Sequence, residues 1–225
     1  MPTREALSLR GTAGSFSTLM RGGTQSLLPL PVRWQGSGEV FASYSPRAGG
    51  LGDISLALPP KTPPGTYEAT VVLPDGEHPL VLEVEPWPRL SFHPRFVSVS
   101  GGATTAAVTA LNEGNASIAI PSGGDVALYE QDEDVFERAL RGERKEGERL
   151  IDRIVEGFAG TFSGTMRVTV ESGDGPLAAD DARELTLTLN FLAGLKPDTS
   201  YDGAWNFDGG SLAITVRTTK EETTP

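Results

Sequence analysis

His78 and His93 are the only histidines in the chain, and each stands directly before a proline. A Ser-His-Asp relay would need one of them as its base, with a nucleophile on a sharp turn, and no G-x-S-x-G occurs. Turn or surface imidazoles are the ordinary reading of both. There is no cysteine, so disulfides, thiolate zinc sites and cysteine nucleophiles are excluded. Zinc held by other ligands finds no matching spacing. Calcium is the better-suited ion: SGDGPLAADD carries Asp174, Asp180 and Asp181 in a glycine-containing loop, and loop carboxylates supply hard oxygen ligands. The ordered D-x-D-x-D-G pattern is missing, so a solvated turn competes with a metal site, and no other cofactor is expected. Thirty acidic residues could supply a carboxylate pair for glycoside chemistry, yet none stands out in an apolar setting. No phosphate-binding G-x-x-x-x-G-K-[ST] loop is present, and GTAGSF reads as a turn. Trp34, Trp87, Trp205 and Tyr44 could stack on a sugar if exposed, although core packing is the commoner use of such rings.

The elements that must position these residues are short apolar segments with turn residues every 8 to 12 positions. That pattern signals an all-β sandwich or barrel. The 27 glycines and 17 prolines are spread among apolar runs and read as turns, not as disorder. In the first half, strands are expected near EALSLRG, SLLPLPVRW, EVFASYS, DISLALP, TYEATVVL and PLVLEVEP. Ile54, Leu56 and Leu58 alternate onto one face. TYEATVVL and HPLVLEVEP, joined through Pro74-Asp75-Gly76, predict a hairpin. The prolines flanking Trp87 in EPWPRL stop a strand from running straight through, which places a boundary there. The expected organisation is a sandwich over 1–87, a second over 88–219, and a tail over 220–225. Charge divides similarly: residues 1–90 carry seven basic and eight acidic side chains, and residues 91–225 carry twelve and twenty-two.

In the second half the period changes within DEDVFERALRGERKEGERLIDRIVEGF. Apolar residues spaced by four predict a short helical insertion at about 131–157, with Asp132, Glu133 and Asp134 suited to a helix start and Gly142 and Gly147 interrupting it. Its stripe, Val135, Phe136, Leu140, Leu150, Ile151 and Ile154, with Val155 and Phe158 beside them, must be buried against something. An open face of its own sandwich is the ordinary answer, and a docked partner is the functional one.

After these elements comes LKPDTSY. The spacing Leu195-x-Pro197-x-Thr199-x-Tyr201 resembles the tyrosine corner of fibronectin type III domains, where it joins strands E and F. The preceding alternation of Leu185, Leu187 and Leu189, and the following FDGGSLAITVRTT, agree with the F–G turn and G strand of that family. The resemblance implies a structural role for Pro197 and Tyr201, with the tyrosine hydroxyl bonding upstream backbone. The stretch PPGTY, ending at Tyr67, looks like the related corner of bacterial immunoglobulin-like modules, so the chain reads as a divergent tandem repeat. The insertion departs from the type III pattern.

Such folds host many roles, so fold leaves function open. With no catalytic constellation, the first expectation is a non-enzymatic structural or accessory subunit mediating assembly. Its partner would be another protein or a larger complex, membrane-associated ones included. A carbohydrate-binding or adhesion module using exposed aromatics is the alternative, and a carboxylate or metal hydrolase comes third. The net charge of −11 argues against nucleic acid as partner. No apolar run approaches the ~20 residues that span a bilayer. MPTREALSLRGTAG lacks the apolar core of a signal peptide and already reads as a first strand around Ala6 to Leu9. The expected compartment is the cytoplasm if Met1 is the native start, and the periplasm or the exterior if a signal peptide preceded it.

Overall fold

A computed structural model describes residues 6–14, 16–21, 27–36, 38–73, 76–100, 105–131, 150–191 and 195–219. The chain is all-β and divides into two compact immunoglobulin-like units. The first comprises residues 1–89 together with 113–117 and 178–180; the second comprises 90–112, 118–177 and 181–225. The division thus falls at Arg89/Leu90, two residues beyond the expected boundary, and two loops from the later sequence belong to the first unit.

The first unit holds β1 (Leu7–Thr12), β2 (Phe16–Arg21), β3 (Leu27–Trp34), β4 (Phe41–Pro46), β5 (Leu51–Ala57), β6 (Gly65–Leu73) and β7 (Gly76–Glu85). Their order is β1-β7-β6-β3-β4-β5-β2, with β1 parallel to β7 and every other pairing antiparallel. β1 and β2, at opposite ends of this order, are separated in sequence only by residues 13–15, so the sheet rolls over its own core. β3 makes the corner: Leu27, Leu30 and Pro31 pair with β4 across a register shift, and Val32–Trp34 pair with β6. The core-facing positions alternate as strands require, with Ile54, Leu56 and Leu58 all buried beside Tyr44, Val71 and Leu82. β2 was not expected: FSTLMR is a strand paired with β5, not part of a turn. The β6–β7 hairpin runs in register from Leu73↔Gly76 to Gly65↔Val84, and its Pro74-Asp75 link lies outside the described residues.

The second unit holds β8 (Leu90–His93), β9 (Phe96–Ser100), β10 (Thr105–Asn112), β11 (Ile118–Ile120), β12 (Gly123–Glu130), α1 (Leu150–Gly160), β13 (Phe162–Ser172), β14 (Gly175–Leu177), β15 (Ala182–Phe191), β16 (Ser200–Phe207) and β17 (Gly210–Arg217). Its main sheet runs β8-β10-β15-β13-β12-β16-β17-β9, with β17 parallel to β9. Read backwards from β9, this repeats the first unit strand for strand, with β8 added at the end. β8 and β9 flank the cis His93–Pro94 bond and occupy opposite ends of the order, which closes this sheet as well. The core includes Val126, Leu128, Met166, Leu187, Tyr201 and Trp205. Part of the SGDGPLAADD loop is itself a strand, since β14 pairs with β11 and buries Leu177. The helix runs to Gly160, three residues past the expected end. Among the described residues no helix is long and apolar enough to cross a membrane.

Candidate functional site

The two corners sit at equivalent places in the shared wiring, Tyr67 near the start of β6 and Tyr201 near the start of β16. Tyr201 is fully buried, and its hydroxyl oxygen accepts the Lys196 backbone N–H at 2.8 Å. Thr218 completes this corner by donating its hydroxyl to the Lys196 carbonyl at 2.6 Å and accepting the Thr199 N–H at 2.9 Å. Pro197 is exposed in the turn, beside Asp198, whose φ is 57°. Tyr67 is only half-buried and donates its hydroxyl to the Pro63 carbonyl at 2.8 Å. Both hydroxyls are engaged by backbone four or five residues upstream, which pins the strand crossings.

The connection between β12 and β13 is one place where the second unit departs from the first, in addition to β8 and the β11–β14 pair. Val135, Phe136 and Leu140 lie outside the described residues, and of Leu150 and Ile154 the helical backbone position is described but not the side chain. Ile151 and Val155 stand one turn apart on α1 and are 56% and 59% exposed. The buried core side chains described for this unit come from its strands. At the base of the connection, Tyr129 and Phe162 meet edge-to-face at 5.9 Å, both substantially exposed.

On the outer face of β12 and β16, beside this base, lies a groove of about 820 Å³. Ala127, Gly203 and Ala204 are among its lining residues, as are Asp125, Tyr129 and Asp202. Gly203 is there for space: a Cβ would stand 2.6 Å from Val126 Cγ1 and 2.8 Å from the Ala127 carbonyl oxygen. Each of three carboxylates is engaged by a donor of the unit itself. Asp125 faces Arg167 at 3.4 Å, Glu130 accepts from Lys196 Nζ at 2.6 Å, and Asp202 accepts from Gln131 and Thr215 at 2.7 Å each. The bond to Glu130 holds the Lys196 ammonium above its ordinary value, with the Glu130 charge adding to the effect. These carboxylates present acceptors held by neighbouring donors along the groove.

The other candidates are scattered. His78 is on β7 and His93 on β8, in different units. Asp174 and Asp181 are exposed in the second unit, whereas Asp180 belongs to the first and pairs there with Lys61. Among the described residues no group of three His, Cys, Asp or Glu side chains could hold a metal ion. Of the aromatics weighed as sugar platforms, Tyr44 and Trp205 are core residues, 1% and 2% exposed, at inward positions of β4 and β16, which is the commoner use of such rings. Trp87 is half-buried with the Arg89 guanidinium over its ring at 5.4 Å. Trp34 is half-buried and packs against Tyr67, a pairing that sequence spacing does not reveal.

No protein-family model matches the chain, and no curated protein matches it. Similar solved structures include the I-band fragment I67–I69 from titin, at 13% identity over 96% of this chain and 62% of that one, with a TM-score of 0.29. Domains 4 and 5 of the S-layer protein SbsC give 12% identity over 69% and 66%, with a TM-score of 0.27. The Yersinia pseudotuberculosis adhesin InvE gives 11% over 94% and 56%, with a TM-score of 0.29. The chain therefore spans about three fifths of the titin fragment's length. Superpositions at this level carry no argument of their own, and the fold rests on the strand wiring described above.

Proposed function

We propose that the chain is a non-enzymatic accessory component of a larger protein assembly, with the helix-bearing connection between β12 and β13 as its contact surface. The observation that carries this reading is the exposed pair Ile151 and Val155, one turn apart on α1. Long insertions in compact domains are commonly binding elements. Burying two such side chains on a partner would yield roughly 1.5–3 kcal/mol each before association costs. The groove beside the base of the connection adds polar groups already fixed in orientation, which suits specificity more than raw affinity. We also read the second unit as fibronectin type III-like, on Leu195, Pro197, Thr199 and Tyr201.

The test is the double substitution Ile151→Glu and Val155→Glu in the full chain. Affinity capture quantified by mass spectrometry, with sedimentation velocity beside it, should show bound protein or self-association that the variant loses while its unfolding midpoint is unchanged. An identical bound set and identical sedimentation would sink the proposal.

A further inference from the structure

We infer that the first unit carries a carbohydrate-binding pocket between Trp34 and Tyr67. This inference is independent of the assembly role proposed above and concerns the other unit. Trp34 ends β3 opposite Ala69 of β6, so Tyr67, two residues before Ala69, is its diagonal neighbour on the same face. The two rings lie 5.6 Å apart between centroids and meet at 51°. Pro59, Lys61, Thr62 and Pro63 close the other side, leaving a cavity of about 400 Å³. That size lies within the ~300–1,000 Å³ of small-molecule sites.

The polar tips of both rings are already spent. Trp34 Nε1 donates to the Gly38 carbonyl at 2.9 Å, and the Tyr67 hydroxyl donates to Pro63. The walls therefore offer ring surfaces and pyrrolidine, and call for an occupant with an apolar face. Gly36 is what lets the indole lie there. A Cβ at this position would stand 2.1 Å from two carbons of the Trp34 ring, and the backbone of Gly36 is not in the left-handed region, so the glycine serves space and not conformation.

Lys61, one of the lining residues, is paired with Asp180, and both side chains are about half exposed, at 52% and 53%. Asp180 is held at a φ of 67°, a conformation that costs energy in a residue other than glycine and is concentrated at ligand sites. Together the pair offers donors and an acceptor side by side, which is what two adjacent sugar hydroxyls require. A pyranose brings both halves of the match: a flat C–H face for the indole and a rim of hydroxyls for the ion pair. A proline ring would fill the aromatic corner but has no use for the ion pair, and a cationic side chain would meet the Lys61 ammonium.

The experiment is saturation-transfer difference NMR of the full chain with maltotriose, cellotriose, chitotriose and xylotriose, with octaproline as a separate arm. At least one trisaccharide should bind saturably at about 10 mM or below, and Trp34→Ala should weaken it by about tenfold or more. Gly36→Ala should do the same without removing a contact atom, because its methyl displaces the indole. Lys61→Ala should weaken binding with the rings intact, while Trp87→Phe should leave it unchanged. Amide spectra of each variant establish that it is folded; if Trp34→Ala is not, Gly36→Ala and Lys61→Ala decide. Absence of saturable binding to all four sugars, binding that survives both Gly36→Ala and Lys61→Ala, or binding of octaproline alone overturns the inference.

Discussion

Replacing Tyr201 by phenylalanine removes one oxygen and leaves the Lys196 backbone N–H without its acceptor. Tyr201 is fully buried and the bond part-buried, so water replaces the lost hydroxyl poorly. The Lys196 carbonyl keeps a partner, because Thr218 donates to it at 2.6 Å, and the Tyr201 contact to that carbonyl, at 3.5 Å, is too long to matter. The loss is therefore one orphaned donor, about 1–3 kcal/mol. In the first unit the same substitution should cost less. Tyr67 is half-buried and the Pro63 carbonyl it bonds is exposed, so water can replace the hydroxyl and the cost falls to about 1 kcal/mol or below. Urea unfolding can separate the two units by tryptophan emission, since Trp205 is the only tryptophan of the second unit. In a background with Trp34 and Trp87 changed to phenylalanine, Tyr201→Phe should lower the Trp205 midpoint by roughly 0.5–1.5 M, taking a slope of about 2 kcal/mol per M. Tyr67→Phe, followed through Trp34 and Trp87 with Trp205→Phe as background, should move its own unit's midpoint by less. An unchanged Trp205 midpoint, or a larger shift for Tyr67→Phe, would refute the reasoning from burial.

Asn115 is 3% exposed and serves three backbone groups of the first unit: it donates to the Thr62 and Glu85 carbonyls at 3.0 and 3.1 Å and accepts the Trp87 N–H at 2.6 Å. Asn115→Ala should destabilise that unit by about 2–4 kcal/mol, read by calorimetry, and a shift within error would mean that these bonds are replaceable. Lys196 has its folded pKa raised by Glu130, so the pair's contribution is complete below the ordinary lysine value of 10.5 and is lost as pH climbs through the raised one. Glu130→Gln should bring the Lys196 titration down, followed by NMR of the lysine Cε, and an unmoved titration would remove the pairing.

What was legible in the sequence was what the chain encodes locally. Alternation gave away β5 through Ile54, Leu56 and Leu58, and the corner spacing at Leu195–Tyr201 could be read because a corner bond spans only five residues. β2 escaped because its apolar residues, Phe16, Leu19 and Met20, do not alternate and come just after the turn-prone Gly14-Ser15. β14 escaped because three residues inside a glycine-containing loop show no period, and only pairing with β11 makes them a strand. Parity defeated the aromatics: in FASYS either alternate set could face inward, and the fold turns Ala42 and Tyr44 in and Phe41 out. The Trp34–Tyr67 pocket depends on the β3–β6 register, and the place of 113–117 in the first unit depends on Asn115. Both are long-range contacts that no local spacing records.

The duplicated wiring gives the two proposed sites a common origin. Every strand of the first unit has a counterpart in the second, so inward positions on those strands are constrained by packing in both copies. The link between β3 and β4 corresponds to the link between β12 and β13, and these links are under no such constraint. In the first unit the link is short, Gln35 to Val40, and supplies Gly36 and Gly38, which seat the Trp34 ring. In the second it is the long segment from Gln131 to Thr161, which presents α1. The two proposals thus involve one corresponding connection of the repeat, which in the first unit contributes Gly36 to the pocket wall and in the second carries the helix.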